Sequence, residues 1–119
     1  MIKSGIMPEQ RDVCLIPIPF TDLTSSKRRP VIIISNNDYN NNTDDVLVMG
    51  ITSNLKERID SVEIDQNDMD TGTLKMKSIV RIDKIYSLNK NLIIKTFGKL
   101  NLKKFSEIVN KLIHFVRSE

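Results

Sequence analysis

Three adjacent cations, Lys27, Arg28 and Arg29, stand directly before Pro30 and a run of β-branched residues. The residue before a proline is biased toward extended backbone, so Arg29 is held at the entrance of a strand rather than in a helical turn. A guanidinium group is planar, permanently charged and shaped to contact two phosphate oxygens. The pattern predicts a phosphate-binding site in which Lys27 and Arg28 widen the positive patch around Arg29. The alternative is a solvated basic loop that protects a strand edge from pairing.

Two hydroxyls and an arginine–aspartate pair are the other candidate reactive groups. Thr52 and Ser53 directly follow the apolar run VLVMGI. They could donate to a phosphate, although hydroxyls at a strand end more commonly cap local backbone. Arg81 and Asp83 are two residues apart in an apolar stretch, so on a strand they would share a face. In a concave site such a pair could orient a cation or act as acid and base, whereas on an open surface it is an ion pair of little value.

The usual catalytic groups are scarce in this sequence. The one histidine, His114, falls on the side of a predicted helix opposite Phe105 and is expected to face water. The single cysteine, Cys14, lies in an apolar strand pattern and is expected to be a buried thiol, so no Cys/His cluster for zinc exists. The four glycines are scattered, which excludes a glycine-rich phosphate loop. We therefore expect no metal and no cofactor.

The elements that must position these groups are mostly strands. Short apolar runs rich in β-branched residues predict five or six of them, at 13–18, 31–35, 46–52, 61–65 and 78–88 and in the stretch 92–97 before Gly98. The polar stretch 20–29 and the asparagine-rich stretch 36–45 are predicted to be loops. The stretch 67–72 is predicted to interrupt the strands.

The C-terminal part of the chain has helical rather than strand spacing. Five apolar residues fall within an arc of about 100° at helical periodicity, and Asn101 is expected to be the N-cap: Phe105, Ile108, Val109, Leu112 and Val116. We expect one amphipathic helix that packs its apolar face on the sheet. The fold class is therefore mainly β with α, a small and strongly bent sheet or barrel closed by one helix.

The charges are distributed unevenly along the 119 residues. The stretch 61–73 carries four acids and no base, whereas 74–119 carries eleven bases and three acids. This asymmetry favours an anionic partner, and a solvated lysine-rich face is the alternative. The first ten residues, MIKSGIMPEQ, lack the apolar segment of a signal peptide, and the apolar runs are too short to cross a bilayer. Together with the lone cysteine, this predicts a cytoplasmic protein without membrane association.

Five stretches resemble, in order and spacing, the MazF/PemK family of toxins from type II toxin–antitoxin systems: RDVCLIPI, KRRPVIIIS, ITS, SIVRIDKIYSL and the GKL turn before the helix. The resemblance spans residues 11–116 and implies one MazF/PemK-like domain over 1–119 with its core at 11–117. The implied fold is an SH3-like barrel with a C-terminal amphipathic helix. Arg11 stands where many members have glycine, and TDLTSSKR replaces the usual glycine- and glutamate-containing loop.

The resemblance also implies a function and a set of site residues. Members are usually homodimers, most are metal-independent endoribonucleases that cleave single-stranded RNA at short motifs, and they are neutralised by acidic antitoxin proteins. Carried over by position, the catalytic residues are Arg29, Thr52 and Asp83, and the substrate-binding residues are Lys27, Arg28, Ser53 and Arg81.

These residues suit the chemistry of RNA cleavage, except that the general base is not identified. RNA carries its own nucleophile, the 2′-hydroxyl, and one well-placed donor to the developing charge can supply about 3 kcal/mol. Arg29 could be that donor without a metal. Arginine retains its proton, so the general base is left open, and Asp83 qualifies only if it reaches the site. Two other functions remain, a non-catalytic nucleic-acid-binding barrel and a CcdB-like inhibitor of a protein target.

Overall fold

The structure is a computed structural model that describes residues 7–17, 27–56 and 60–118. Within these ranges the chain forms strands β1 (Asp12–Pro17), β2 (Arg28–Ile33), β3 (Asp45–Thr52), β4 (Ser61–Ile64), β5 (Met69–Gly72), β6 (Ser78–Asn89) and β7 (Lys95–Leu100). Helix α1 (Asn37–Asn42) connects β2 to β3, and helix α2 (Leu102–Val116) follows β7. No helix among the described residues is long and apolar enough to cross a membrane.

The seven strands form one antiparallel sheet in the order β4-β6-β3-β2-β1-β7-β5. The register shifts within three strand pairs, β1–β7, β3–β6 and β5–β7. Such bulges bend strands and increase their twist, so the sheet curls into the barrel-like shape expected from the sequence. The fold prediction of a bent sheet with a C-terminal helix is confirmed.

The sheet has an apolar cluster on each face. The inner cluster fills the concave side beneath α2 and comprises Val13, Ile32, Met49, Ile51, Val62, Ile64, Val80, Ile82, Leu100, Phe105 and Ile108. The outer cluster lies on the opposite face and comprises Cys14, Ile16, Val31, Ile33, Val46 and Val48. Because both faces are apolar along β2 and β3, these strands read as continuous hydrophobic runs in the sequence.

Helix α2 begins as the sequence predicts but buries less than its periodicity suggests. The side chain of Asn101 accepts a hydrogen bond from the Lys104 N–H at 2.7 Å, as an N-cap should. Phe105 and Ile108 are buried, and His114 is exposed as expected. The prediction that Val109 and Val116 belong to the buried face is wrong, since both are exposed. They lie toward one side of the apolar arc, opposite the side on which Ile108 is buried.

Several element predictions need correction. The asparagine-rich stretch contains α1 rather than only a loop, because Asn36 caps it by accepting from the Tyr39 N–H at 2.8 Å. The buried side chain of Asn40 then ties the helix to Ser35. The predicted interruption at 67–72 contains β5, and β7 runs through Gly98 rather than ending before it. Strand β2 begins at Arg28, inside the stretch predicted to be a loop, whereas 18–26 lies outside the described residues.

Arg11 joins the start of β1 to both neighbouring strands. Its φ of 79° lies in the left-handed region that favours glycine. Its N–H donates to the Ile33 carbonyl and its own carbonyl accepts from the Leu100 N–H, at 2.8 and 2.9 Å. Its Nη1 donates to the Leu100 carbonyl at 2.8 Å and pairs with Asp70 at 3.2 Å. The side chain thus supplies contacts that a glycine at this backbone position would lack.

Candidate nucleic-acid interface

The antiparallel pairing of β2 with β3 places Arg29 and Thr52 at the same end of the sheet. The last paired rung of this ladder is Val31 opposite Gly50, and Arg29 and Thr52 each lie two residues beyond it, so the same register extended by two residues would set them opposite each other. Directly opposed residues in a sheet lie about 4.5–5.5 Å apart and point to the same face. That face is the outer one, since Val31 belongs to the outer cluster. Two residues that are distant in sequence therefore lie at the same end of the sheet and on the same face.

The other two cations of the KRRP stretch are both exposed but are not equivalent to Arg29. Strand alternation sets Arg28 on the face opposite Arg29, and its backbone pairs with Pro17 of β1. Lys27 precedes β2. Of the three cations, only Arg29 is fixed within the strand on the same face as Thr52.

The hydroxyls at the end of β3 differ in their surroundings. Thr52 is half-buried, and its Oγ1 accepts a hydrogen bond from the Asn54 N–H at 3.1 Å. This is the local capping that strand-end hydroxyls commonly provide. A hydroxyl that accepts one bond can still donate its own proton to a ligand. Ser53 is exposed beyond the end of the strand.

Arg81 and Asp83 form a two-pronged ion pair on β6. The Arg81 Nε donates to Asp83 Oδ1 at 2.8 Å, and its Nη2 donates to Oδ2 at 2.7 Å. These hydrogen bonds hold the pKa of Asp83 below its usual value and raise that of Arg81. A carboxylate with a lowered pKa is a weaker base, so the pairing favours an orienting role for Asp83 over proton abstraction. The expected sharing of one face by this pair is confirmed.

A bulge in β6 shapes the surface beside this pair. Met49 faces Ile85, but the next residue, Gly50, faces Arg81, so β6 has three more residues than β3 between these two rungs. A Cβ on Gly50 would lie 3.4 Å from the Cβ of Lys84 and 3.9 Å from Cε2 of Tyr86. Lys84 and Tyr86 therefore border the space above a residue that has no side chain of its own.

These observations define a site face, which consists of Arg29, Gly50, Thr52, Arg81 and Tyr86 on the outer side of β2, β3 and β6. Arg29 and Arg81 are separated by two strand spacings and a two-residue offset, about 12 Å between their Cα atoms. Both guanidinium groups can thus contact one short stretch of an extended anionic ligand. Among the described residues, no cluster of three histidine, cysteine, aspartate or glutamate side chains could hold a metal ion.

Sequence reasoning did not identify Gly50, Lys84 or Tyr86 as part of this surface. The stretch KIYSL reads as an ordinary strand, and in a regular strand Tyr86 would lie five residues along from Arg81 and on the opposite face. The bulge changes that relation, because Tyr86 faces Val48 while Arg81 faces Gly50. An exposed aromatic beside an Arg-x-Asp pair was the one available signal.

Comparison with known proteins gives a family and a fold. The profile of the family described as PemK-like, MazF-like toxin of type II toxin–antitoxin system matches residues 9–116. No curated protein matches the sequence significantly.

Solved structures of similar fold include a chain of the MazE-MazF crystal structure (Form-III) from Deinococcus radiodurans, with a TM-score of 0.75, 19% identity and coverage of 93% of this chain and 97% of that chain. An endoribonuclease from Mycobacterial species has a TM-score of 0.71 and 22% identity, covering 94% of this chain and 93% of that chain. A mycobacterial endoribonuclease in complex with its cognate antitoxin has a TM-score of 0.69 and 22% identity, with 91% of both chains covered.

Proposed function

Because this chain belongs to the PemK-like, MazF-like toxin family of type II toxin–antitoxin systems, we propose that it is an endoribonuclease that cleaves single-stranded RNA without a metal ion. The observation that carries this proposal is the juxtaposition of Arg29 and Thr52 at the end of β2 and β3, beside the Arg81–Asp83 pair. Two structures of similar fold are described as endoribonucleases, which supports the same activity. The toxin role follows from the family.

The proposed reaction uses the 2′-hydroxyl of the RNA as its nucleophile. The 2′-oxygen bonds to the adjacent phosphorus and the bond from phosphorus to the 5′-oxygen breaks, which leaves a 2′,3′-cyclic phosphate and a free 5′-hydroxyl. Water takes up the 2′ proton and protonates the leaving 5′-oxygen. Negative charge accumulates on the non-bridging oxygens in between, and Arg29 neutralises it from an exposed but backbone-anchored position. DNA lacks the nucleophile, so RNA is the substrate.

Each remaining site residue has a positioning or binding role in this proposal. The Thr52 hydroxyl donates to a phosphate oxygen next to Arg29. Arg81 binds a neighbouring phosphate, and Asp83 fixes the plane of its guanidinium through two hydrogen bonds of 2.8 and 2.7 Å. Lys27, Arg28 and Ser53 contribute to RNA affinity from the exposed margin of the site.

The decisive experiment compares Arg29→Ala with Arg28→Ala on a mixed single-stranded RNA in EDTA. We expect the wild-type protein to give fragments with cyclic phosphate ends, and Arg29→Ala to be slower by about 100- to 1,000-fold, the loss typical of one stabilising donor. Arg28→Ala should bind RNA more weakly but cleave at nearly the wild-type rate when RNA is saturating, because Arg28 lies on the other face of β2 from Arg29. RNA with a 2′-deoxy residue at the cleaved position should be resistant. If the protein binds the RNA without cleaving it, it is a non-catalytic nucleic-acid-binding barrel. If it neither binds nor cleaves RNA, the result favours an inhibitor of a protein target.

We also propose two protein partners, a second copy of the chain and an acidic antitoxin. Structures of similar fold were determined as complexes with an antitoxin. Carboxylates of such a peptide could pair with Arg29 and Arg81, but exposed pairs contribute at most about 1 kcal/mol each, so tight inhibition also requires apolar burial. Raising the salt concentration should therefore weaken RNA binding more than antitoxin binding. Equal salt dependence of the two would contradict this mode of inhibition.

A further inference from the structure

Tyr86 stands out among the residues of the site face because it is aromatic and accessible. It retains 36% of its surface exposed although it lies in the middle of a long strand. Its ring edge is 3.9 Å from the position that a Cβ on Gly50 would occupy, so the ring lies at van der Waals distance from that glycine position and the rest of its surface is available to a ligand.

The spacing between Tyr86 and the cations suits a single strand of nucleic acid. Tyr86 faces Val48 and Arg81 faces Gly50, two residues along β3, or about 6.5–7 Å. This separation is on the scale of one nucleotide. Lys84 borders the same space from the bulge, with its Cβ 3.4 Å from the position of a Gly50 Cβ. A partly exposed aromatic ring thus has Lys84 and Arg81 as neighbours on the same strand, a spacing at which a base and its adjoining phosphates could be held together.

We propose that Tyr86 stacks on one nucleobase of the bound RNA while Lys84 and Arg81 contact the adjoining phosphates. This inference rests on the proposed function and adds to it a residue that selects unstacked, single-stranded RNA. Proteins recognise single-stranded RNA by stacking splayed bases on aromatic side chains, because every base has a π-face. A base paired inside a duplex cannot reach such a platform. The alternative is that Tyr86 merely covers Gly50, as aromatic residues do beside glycines in sheets.

The composition of the chain allows a direct test by fluorescence. The sequence has no tryptophan and only two tyrosines, Tyr39 and Tyr86, so Tyr39→Phe leaves Tyr86 as the sole emitter. The matched control, Tyr86→Phe, leaves only Tyr39, which lies in α1 away from the site face. The probes are a mixed-sequence RNA methylated at every 2′-oxygen, which cannot be cleaved by this mechanism, and a matched oligonucleotide with abasic residues. Anisotropy of a 5′-labelled probe measures binding independently.

Stacking predicts a specific pattern in these measurements. The base-containing probe should quench emission in Tyr39→Phe and leave the Tyr86→Phe protein unchanged, and the abasic probe should bind without quenching. Tyr86→Leu should lose affinity roughly 5- to 150-fold, the range for removal of one base–aromatic stack. The Tyr86→Phe protein should recover most of that affinity, since phenylalanine keeps the ring.

The inference is overturned if both probes quench equally, or if Tyr86→Leu binds RNA like the wild type while unfolding at lower urea. That second result would leave Tyr86 as a cover for Gly50. If Tyr86→Leu binds and cleaves normally, the inference fails while the proposed nuclease activity stands. If no variant binds the methylated probe and the wild type does not cleave unmodified RNA, both fail.

Discussion

Replacing Arg11 with alanine or with glycine separates two contributions to the free energy of unfolding: the strain of its backbone conformation and the contacts of its side chain. A left-handed φ costs a residue with a Cβ about 1–2 kcal/mol, and Arg11 has a φ of 79°. Glycine removes that cost, but its greater conformational entropy in the unfolded chain lowers the free energy of unfolding by about 0.4–1 kcal/mol relative to alanine. At this position glycine should therefore be about 1 kcal/mol better than alanine.

The side chain contributes in the opposite direction. A hydrogen bond from a charged donor is worth about 1.5–3 kcal/mol, and Arg11 makes one to the Leu100 carbonyl at 2.8 Å. The pair with Asp70 adds less than about 1 kcal/mol, because the Asp70 side chain is 52% exposed. We therefore expect Arg11→Ala to lower the free energy of unfolding by about 2 kcal/mol and Arg11→Gly by about 1 kcal/mol.

Urea denaturation followed by circular dichroism measures both variants. With a slope near 2 kcal/mol per molar urea, the midpoints should fall by about 1 M and 0.5 M. Asp70→Asn is the matched control, since it removes only the ion pair and should shift the midpoint least. If Arg11→Gly were less stable than Arg11→Ala, the reasoning from backbone strain would be refuted.

Two further predictions concern titratable groups. Arg81 holds the pKa of Asp83 low, so this pair stabilises the fold above the unfolded-state pKa near 4 and its contribution is lost as the pH falls further. The difference in urea midpoint between wild type and Asp83→Asn should therefore shrink below about pH 4, and a difference that grew in acid would contradict it. Cys14 is fully buried and burial raises its pKa to about 11, so at pH 8 a thiol reagent should label it only as fast as the protein unfolds. Rapid labelling of native protein, equal to that in urea, would contradict this.

The sequence was sufficient to predict where Arg29, Thr52 and the Arg81–Asp83 pair sit, because each depends on a local rule. A proline fixes the residue before it, a strand ends where apolar residues give way to hydroxyls, and residues two apart on a strand share a face. Whether these residues catalyse the reaction remains a prediction. Placing Arg29 and Thr52 at the same end of the sheet required only that the consecutive strands β2 and β3 pair in an antiparallel manner.

The features that the sequence did not indicate depend on tertiary contacts. The six-residue helix α1 has poor intrinsic propensity, but the carbonyl of its buried Asn40 accepts from the Lys90 ammonium at 2.6 Å, a contact with a residue fifty positions away. The bulge that brings Tyr86 beside Gly50 is a mismatch in length between two strands, which no periodicity reveals. Val109 and Val116 fit the helical period but are exposed, so periodicity overestimates burial.

The position of β1 between β2 and β7 has a consequence for synthesis on the ribosome. Strand β1 can pair with β2 soon after residue 33 has emerged, but its other edge must wait for residues 95–100. At about 5–20 residues per second, this edge stays open for several seconds. During that time Val13 and Cys14 belong to an apolar strand with free backbone donors and acceptors, a template for wrong pairing. Strand β1 is therefore the part of this sheet most in need of protection until β7 is made.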